Sequence, residues 1–508
     1  MNENRRLPVI YVRGFAGKPS GIDRAIDDPL YGFNEGSVHV RVDGHAQPQF
    51  YQFEGPLLRL IRDKKYELHV HGNQRGHLES RPDDSVPPAT IWVHRFYDQA
   101  ASSLHPKPVE FRLEQAAEDL FELVKLVRLK TGAPRVFLVA HSMGGLICRS
   151  MIQRVIPENQ NGSSTPLDYV DRLFTYGTPH GGIEFSIGFG LLEKLRDTFD
   201  LGDAAIFGPE RMYQYLTPHR RPDEDPPAGW NPAVIPADVF PPERVFCLVG
   251  TNPQDYEVAL GLSSKAAGVR SDGLVQIENA FVPDANRAFV HRSHSGRYGL
   301  VNSEEGYQNL WRFLFGDLRV DVELVNLNLP GTREDDTSWQ LDVQLAIRGL
   351  PILVHEQIAA HHCPIQIEWP EVGDLADRPW PLVTTFLSAN VDERPIGADS
   401  LRYALHVRLL SIVERTGLLD FTSHLEQTAD FDDTLVVDLK PSNGVLSASA
   451  RWNSEIPGSI RDFHPDPDPI NDQNPADDLW QTDVLLPAAQ RQVFGETAAV
   501  RLTIRPWN

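Results

Sequence analysis

The chain has 508 residues, more than one hydrophobic core usually organises, so we expect two domains. Its 48 basic and 70 acidic residues give a formal net charge of −22, which argues against nucleic acid and against docking on anionic lipid. No run approaches the roughly 18 uninterrupted apolar residues of a transmembrane helix, and no signal-peptide pattern is seen, so we expect a cytoplasmic protein.

The chain contains three cysteines, Cys148, Cys247 and Cys363. They are too few and too scattered to form a disulfide framework or a structural zinc site. We therefore expect no disulfide, no bound metal ion and no cofactor.

The first predicted element is a buried β-strand at residues 7–12, where the sequence is almost entirely apolar. The loop after it contains Arg13, Gly14 and Phe15. A glycine-containing loop in this position is often only a turn, but its backbone N–H groups can also bind an anion. The second interpretation makes the N–H of Phe15 a candidate donor.

Residues 18–110 are punctuated by proline and glycine, and we interpret them as a long insertion, rich in loops, with a strand near residues 90–93. Histidines in this insertion show no recurrent metal-ligand spacing with acidic partners, so we assign them to loops and the surface. They are His39, His45, His69, His71, His77 and His94. An amphipathic helix is then predicted from about Leu113 to Lys130.

The central motif of the chain contains Ser142, which lies between an apolar strand at residues 136–140 and a predicted helix. Small residues stand two positions away on each side, in the pattern Ala140-x-Ser142-x-Gly144, and Gly145 follows. The simpler interpretation is a serine that caps a helix. Capping requires neither small neighbours nor a double glycine, so the pattern favours a nucleophile held in a sharp strand-to-helix turn.

Another strand is predicted at residues 171–176, and a glycine-rich loop follows at residues 177–182. Residues 183–242 combine an apolar helical stretch with a proline-rich polar stretch. They can form a pair of core helices, or a cap over a pocket on the side where ligands enter open α/β sheets. We refer to residues 183–242 as the predicted cap.

Two later loops offer an acid and a base. Asp272 follows a strand at residues 244–250, and His294 follows a final strand at residues 288–291. The chain order is therefore serine, aspartate, histidine, and each group stands on a loop after a strand. Asp272 can alternatively cap a turn, and His291 competes with His294 although its place in the strand makes it a core or surface residue.

These motifs resemble those of the bacterial triacylglycerol lipase and esterase group of α/β-hydrolases. The resemblance is carried by three runs and extends from Leu7 to Asp317. The runs are AHSMGG at 140–145, GTPHGG at 177–182 and DGLV at 272–275. Two departures stand out, because Arg13 replaces the usual histidine of the first loop and no aspartate follows His294 to support the calcium site of some of these lipases.

The resemblance implies an α/β-hydrolase fold with a helical cap, in which Ser142 is the nucleophile, His294 the base and Asp272 the acid. It also implies an oxyanion hole built from the backbone N–H groups of Phe15 and Met143. The family places its histidine a little over twenty residues past the aspartate, which selects His294 rather than His291.

The expected activity is the hydrolysis of a carboxylic ester, as in an esterase or lipase, through an acyl-enzyme intermediate. Similar motifs occur in deacylases of lipid-anchored inositol, so a thioesterase, a phospholipase or a lipid-anchor deacylase stays open. A non-catalytic binding protein on the same scaffold is the other alternative. The expected partner is an ester or lipid small molecule.

The catalytic domain is predicted at residues 1–317 and an all-β accessory domain at residues 318–508. After Asp317 several segments alternate apolar and polar residues, as half-buried antiparallel strands do, which predicts a β-sandwich. This domain could cover the pocket, mediate self-association or recognise substrate. An acidic segment at residues 461–478 is interpreted as a solvated linker, with calcium binding as the alternative.

Overall fold

The computed structural model describes most of the chain, and it divides the chain into two compact units. One unit contains Met1–Arg287 and His291–Leu310, and the other contains Ala288–Val290 and Trp311–Asn508. The described residues are 6–14, 22–23, 26, 39–42, 48–51, 55–69, 71–160, 164–183, 205–221, 224–253, 270–295, 299–329, 337–367, 379–388, 400–415, 424–442, 445–458, 470–474 and 479–507.

A seven-stranded sheet has the strand order β4-β5-β1-β6-β7-β8-β9, and its strands β4 to β8 belong to the first unit. The neighbouring pairs from β4 to β8 are parallel. The strands of this region are β1 (Val9–Val12), β2 (His39–Val42), β3 (Pro48–Tyr51), β4 (Glu67–His69), β5 (Thr90–Val93), β6 (Val136–His141), β7 (Val170–Tyr176), β8 (Val245–Gly250) and β9 (Asn286–Val290). Among the described residues, the short strands β2 and β3 pair with each other.

Helices accompany this sheet along the chain. They are α1 (Pro56–Lys64), α2 (Gln74–Glu79), α3 (Leu113–Thr131), α4 (Met143–Ser150), α5 (Ile156–Gln160), α6 (Pro209–Leu216) and α7 (Glu304–Phe315). The helix α3 ends at Gly132, whose φ of 65° is the left-handed conformation that glycine adopts without strain. Among the described residues, no helix combines the length and the apolar character that crossing a membrane would require.

The central strands of this sheet are buried on both faces, and β7 includes the buried charged residues Asp171 and Arg172. Every residue of β1, β7 and β8 is buried, so no polar face alternates with the apolar one. The segment predicted as a long insertion, residues 18–110, contributes β4 and β5 to this sheet, and β5 pairs directly with β1. Within the predicted cap, residues 184–204 lie outside the described part of the chain.

The second unit consists of antiparallel sheets. One sheet has the strand order β14-β10-β19-β18. The other has the strand order β12-β11-β15-β16-β17, and β13 also pairs with β11. The strands are β10 (Leu318–Val325), β11 (Thr337–Ile347), β12 (Leu353–Gln357), β13 (Ile365–Ile367), β14 (Trp380–Leu387), β15 (Leu401–Arg415), β16 (His424–Ser442), β17 (Val445–Trp452), β18 (Trp480–Leu485) and β19 (Ala499–Pro506), with a helix α8 (Ala488–Phe494).

Residues of both antiparallel sheets share one hydrophobic core, which is the arrangement of a β-sandwich. Val320 and Leu502 from one sheet and Leu341, Leu405 and Val437 from the other belong to the same buried cluster. A parallel sheet with helices followed by an all-β unit confirms the predicted fold class. The three possible roles of this domain, in covering the pocket, in self-association and in substrate recognition, stay predictions. So does the interpretation of residues 461–478 as a solvated linker, with calcium binding as the alternative, because most of these residues lie outside the described chain.

A buried ion pair connects β15 and β16 inside this sandwich. The guanidinium of Arg402 donates to both carboxylate oxygens of Asp438, with N···O distances of 2.6 to 3.0 Å. The hydroxyl of Ser400 donates to the same carboxylate at 2.6 Å. Asp438 is 1% exposed, so its charge depends on these donors for the solvation that water would otherwise supply.

Replacing Arg402 by Met should destabilise the protein by about 3–5 kcal/mol, because the charge of Asp438 would stay buried without its cation. We expect the urea unfolding transition of the all-β unit, followed by tryptophan fluorescence in the full chain, to move to lower urea. The double variant R402M/D438L should recover much of the loss, since no charge is then left unpaired.

The matched control is Arg505→Ala, which removes an exposed guanidinium that lies 3.0 Å from Asp321. Exposed pairs of this kind contribute about 0–1 kcal/mol, so the transition should hardly move. Equal shifts in the Arg402 and Arg505 variants would show that the buried pair contributes no more to the free energy of unfolding than the exposed pair.

Candidate active site

Ser142 lies in a strained turn between β6 and α4. Its backbone has φ 53° and ψ −128°, a conformation that L-amino acids rarely adopt and that the surrounding structure must hold in place. The side chain makes no capping hydrogen bond to α4. The geometry therefore disfavours the interpretation of Ser142 as a plain helix cap and matches that of a nucleophile elbow.

Glycines allow the backbone segments around this turn to approach one another closely. A Cβ atom on Gly144 would lie 2.2 Å from the carbonyl oxygen of Val12 and 2.4 Å from that of Arg13. A Cβ on Gly145 would lie 2.2 Å from the hydroxyl oxygen of Thr178. Real side chains do not fit at such distances, so Gly144 lets α4 begin directly against the end of β1, and Gly145 lets it approach Thr178.

His294 lies between Ser142 and Asp272 and forms a hydrogen bond with each. Its Nε2 is 2.9 Å from the Oγ of Ser142, and its Nδ1 is 2.8 Å from Oδ2 of Asp272. The carboxylate can only accept, so Nδ1 carries the proton and Nε2 is left to accept the serine proton. All three residues are at most 4% exposed, which strengthens these electrostatic contacts.

Asp272 is held by its own loop. Its Oδ1 accepts hydrogen bonds from the backbone N–H groups of Leu274 at 3.1 Å and Val275 at 2.8 Å. The backbone N–H of His294 donates to the carbonyl oxygen of Asp272 at 2.9 Å. One carboxylate oxygen therefore fixes the turn, while the other faces the imidazole.

His141 connects the strand of the elbow to the loop of His294. Its Nε2 lies 2.9 Å from the carbonyl oxygen of His294. Burial, together with the neighbouring His294, lowers the pKa of His141 to about 3. The ring is therefore neutral near pH 7 and donates its Nε2 proton to that carbonyl, so it acts on the backbone of His294.

Two other histidines in this region, His291 and His180, have different hydrogen-bond partners. His291 is exposed, and its Nδ1 is 3.3 Å from the hydroxyl of Thr251. His180 is fully buried, and its Nε2 is 3.1 Å from the hydroxyl of Thr175. Burial and the charge of Arg149 lower the pKa of His180 well below its usual value, so it is a neutral structural residue.

Sequence reasoning overlooked Arg149, a fully buried cation on α4. Its guanidinium donates to the carbonyl oxygens of His180, Pro232 and Val234 at 2.7 to 2.9 Å, and to Oε1 of Gln153. It thereby holds two loops against the helix that follows the serine. The sequence did contain an indication of this role, because Arg149 is the one charged residue in a helix that is otherwise apolar or small.

Of the two candidate oxyanion donors, Met143 and Phe15, only Met143 lies among the described residues. Met143 is buried and begins α4, so its N–H belongs to the positive end of the helix beside Ser142. Phe15 lies outside the described residues, and its role stays a prediction. The preceding Gly14 does approach the serine, since a Cβ there would be 2.8 Å from Cβ of Ser142.

No protein-family model and no curated protein matches the chain. Among solved structures, the mature lipase BlEst2 of Bacillus licheniformis is 14% identical, with a TM-score of 0.31 over 61% of this chain and 91% of that one. The product of the Listeria innocua gene lin2722 is 13% identical, with a TM-score of 0.25 over 61% and 94%.

Phospholipase PlaB from Legionella pneumophila, solved with thio-NAD, is 12% identical, with a TM-score of 0.30 over 92% of this chain and 100% of that one. Because these scores are low, the fold is assigned from the strand order and the turn at Ser142. On that ground the first unit has the α/β-hydrolase fold, and an all-β unit follows it.

Proposed function

We propose that this protein is a serine hydrolase that cleaves carboxylic esters through an acyl-enzyme intermediate, with Ser142, His294 and Asp272 as its triad. The continuous hydrogen-bonded chain from the Ser142 hydroxyl through His294 to Asp272 is the observation that supports this most directly. It joins a strained serine to an imidazole whose second nitrogen faces a carboxylate, which is the arrangement that nucleophilic acyl transfer requires.

In the first half of the reaction the Oγ of Ser142 attacks the ester carbonyl carbon, and its proton passes to Nε2 of His294. The imidazolium formed in this step is stabilised by Asp272, which also keeps the ring in the tautomer that accepts the proton. His294 then returns the proton to the leaving alcohol oxygen, and the acyl group stays on Ser142.

The negative charge on the carbonyl oxygen needs donors that are already in place. The Met143 N–H at the start of α4 is one candidate, and the Phe15 N–H after β1 is the other. Each donor in comparable sites stabilises the transition state by about 3–4 kcal/mol. In the second half, His294 takes a proton from a water molecule that attacks the acyl carbonyl, and then gives it to the Oγ of Ser142 as the carboxylic acid leaves.

Substitution of Ser142 by Ala should abolish labelling by a fluorophosphonate probe, because the probe phosphonylates only an activated hydroxyl. It should also abolish hydrolysis within a panel of p-nitrophenyl esters, acyl-thioesters and triglyceride emulsions. Gel fluorescence and initial rates measure the two effects. Turnover of thioesters without any oxygen ester would reassign the activity to a thioesterase.

Ser150→Ala is the matched control, since Ser150 is buried on the same helix and its hydroxyl contacts no partner among the described residues. Labelling and turnover should persist in this variant. If wild type and Ser142→Ala label equally, Ser142 is not the nucleophile. If neither wild type nor variant labels or turns over substrate, the chain is a binding protein on a hydrolase scaffold.

Asp272→Asn should lower kcat by about 10⁴-fold with little change in KM, as the corresponding change does in comparable triads. The amide keeps an oxygen that can accept from Val275 N–H, but an NH₂ group facing His294 favours the wrong imidazole tautomer. Steady-state kinetics on the best p-nitrophenyl ester measure the loss, with circular dichroism to verify folding. A decrease smaller than about tenfold would contradict the role of Asp272.

His141→Leu should lower kcat by about tenfold, because it removes one partly buried hydrogen bond to the carbonyl of His294 and loosens the base. His141→Gln, which keeps an N–H donor, should recover part of the rate. The acidic limb of the pH–rate profile should be the same in wild type and His141→Gln, since His141 titrates only near pH 3. A shifted limb would show that His141 titrates with the catalytic groups.

A further inference from the structure

Three histidines far from Ser142 in the sequence lie together at the edge of the parallel sheet. His69 is the last residue of β4, His71 follows it in the loop, and His77 lies on α2. One ring nitrogen from each lies within 4.8 Å of the others. Spacing along the chain could not indicate this cluster, because a strand, a loop and a helix each contribute one member.

We propose that His69, His71 and His77 form a binding site for a divalent transition-metal ion of the Zn²⁺ class. Imidazole nitrogen is a preferred ligand of Zn²⁺, Cu²⁺ and Ni²⁺, whereas Mg²⁺ and Ca²⁺ require oxygen ligands. Three histidines with an open fourth position are an established ligand set for tetrahedral Zn²⁺. The site is separate from the proposed triad and does not depend on the hydrolase assignment.

Two of the ligands are fixed by their surroundings. The ring of His69 stacks on the buried Trp92 of β5, with the ring centroids 4.5 Å apart. The helix that carries His77 is capped by the side chain of Asn73, which accepts from Gly76 N–H at 2.9 Å, and Gln74 ties its first turn to the carbonyl of Val93. Binding would therefore immobilise little beyond His71.

The exposed His71 is the ligand that must move. Its ring stacks on that of His77 with the centroids 3.7 Å apart and the planes inclined by 14°. A metal ion lies in the plane of each imidazole that binds it, so parallel rings cannot share one ion as they stand. Tetrahedral Zn–N bonds of about 2.0–2.1 Å place the nitrogens roughly 3.3 Å apart, which a rotation of His71 can achieve.

The charges around the cluster are mixed. Oε2 of Glu67 lies 3.8 Å from Nε2 of His69 and is mostly exposed, so it can complete the coordination or balance the charge of the ion. Arg81 is close enough to act on His69 and His77 as an opposing cation. Bound metal would link β4, an edge strand of the sheet, to α2, and should therefore raise the melting temperature.

Calorimetric titration of the chelator-treated full chain with ZnCl₂ tests the proposal. We expect a first equivalent that binds tightly and shifts the melting temperature upward, and about 1 mM Mg²⁺ or Ca²⁺ should not displace it. His71→Ala and His77→Ala should each weaken that equivalent by about tenfold or more. In Co²⁺-loaded protein, the visible absorption of tetrahedral cobalt should disappear in both variants.

His105→Ala is the matched control, because His105 is an exposed histidine outside the cluster. This variant should bind Zn²⁺ with the same affinity as wild type. Since His71 is exposed, the circular dichroism spectrum of His71→Ala should equal that of wild type, even if the spectrum of His77→Ala does not. Unchanged Zn²⁺ affinity in His71→Ala, or affinity lost equally in His105→Ala, would overturn the proposal.

Discussion

The geometry around Ser142 depends on the close contact between Gly144 of α4 and the backbone at the end of β1. Gly144 lies so close to the carbonyl oxygens of Val12 and Arg13 that a single added carbon would overlap them. Helix α4 can start there only because residue 144 has no Cβ, and this start holds Ser142 at positive φ. The direction of the serine hydroxyl is thus a consequence of backbone packing between β1 and α4, and the site is built outward from it.

Two side chains then keep the geometry in place, the neutral His141 and the charged Arg149. His141 ties the backbone of His294 to the elbow strand, and Arg149 draws the loop of His180 onto α4. Arg149 meets carbonyl oxygens and an amide, and burial lowers its pKa to about 10, so it stays charged near pH 7. The positively charged side chain is satisfied by backbone dipoles, which couples helix and loops without introducing a carboxylate near the serine.

Local patterns predicted the parts of the molecule that short segments determine. Apolar runs indicated β1, β6 and β8, and a further strand was predicted where β7 lies. Chain order grouped Ser142, Asp272 and His294, and His294 forms hydrogen bonds with the other two. Contacts between distant segments were not predictable in this way. Arg149 has partners more than 30 residues away, and the place of β5 beside β1 follows from sheet pairing rather than from its four residues.

The long separation within the proposed triad also bears on how these residues come together during folding. Ser142 and His294 are separated by 152 residues, and the base is positioned only after the chain has passed β8 and β9. Contacts of such high sequence separation form late, because the loops between them must first be closed. Under the proposed assignment, a chain folded only through β7 would present a strained serine without its base or acid, and such a partly folded form would be inactive.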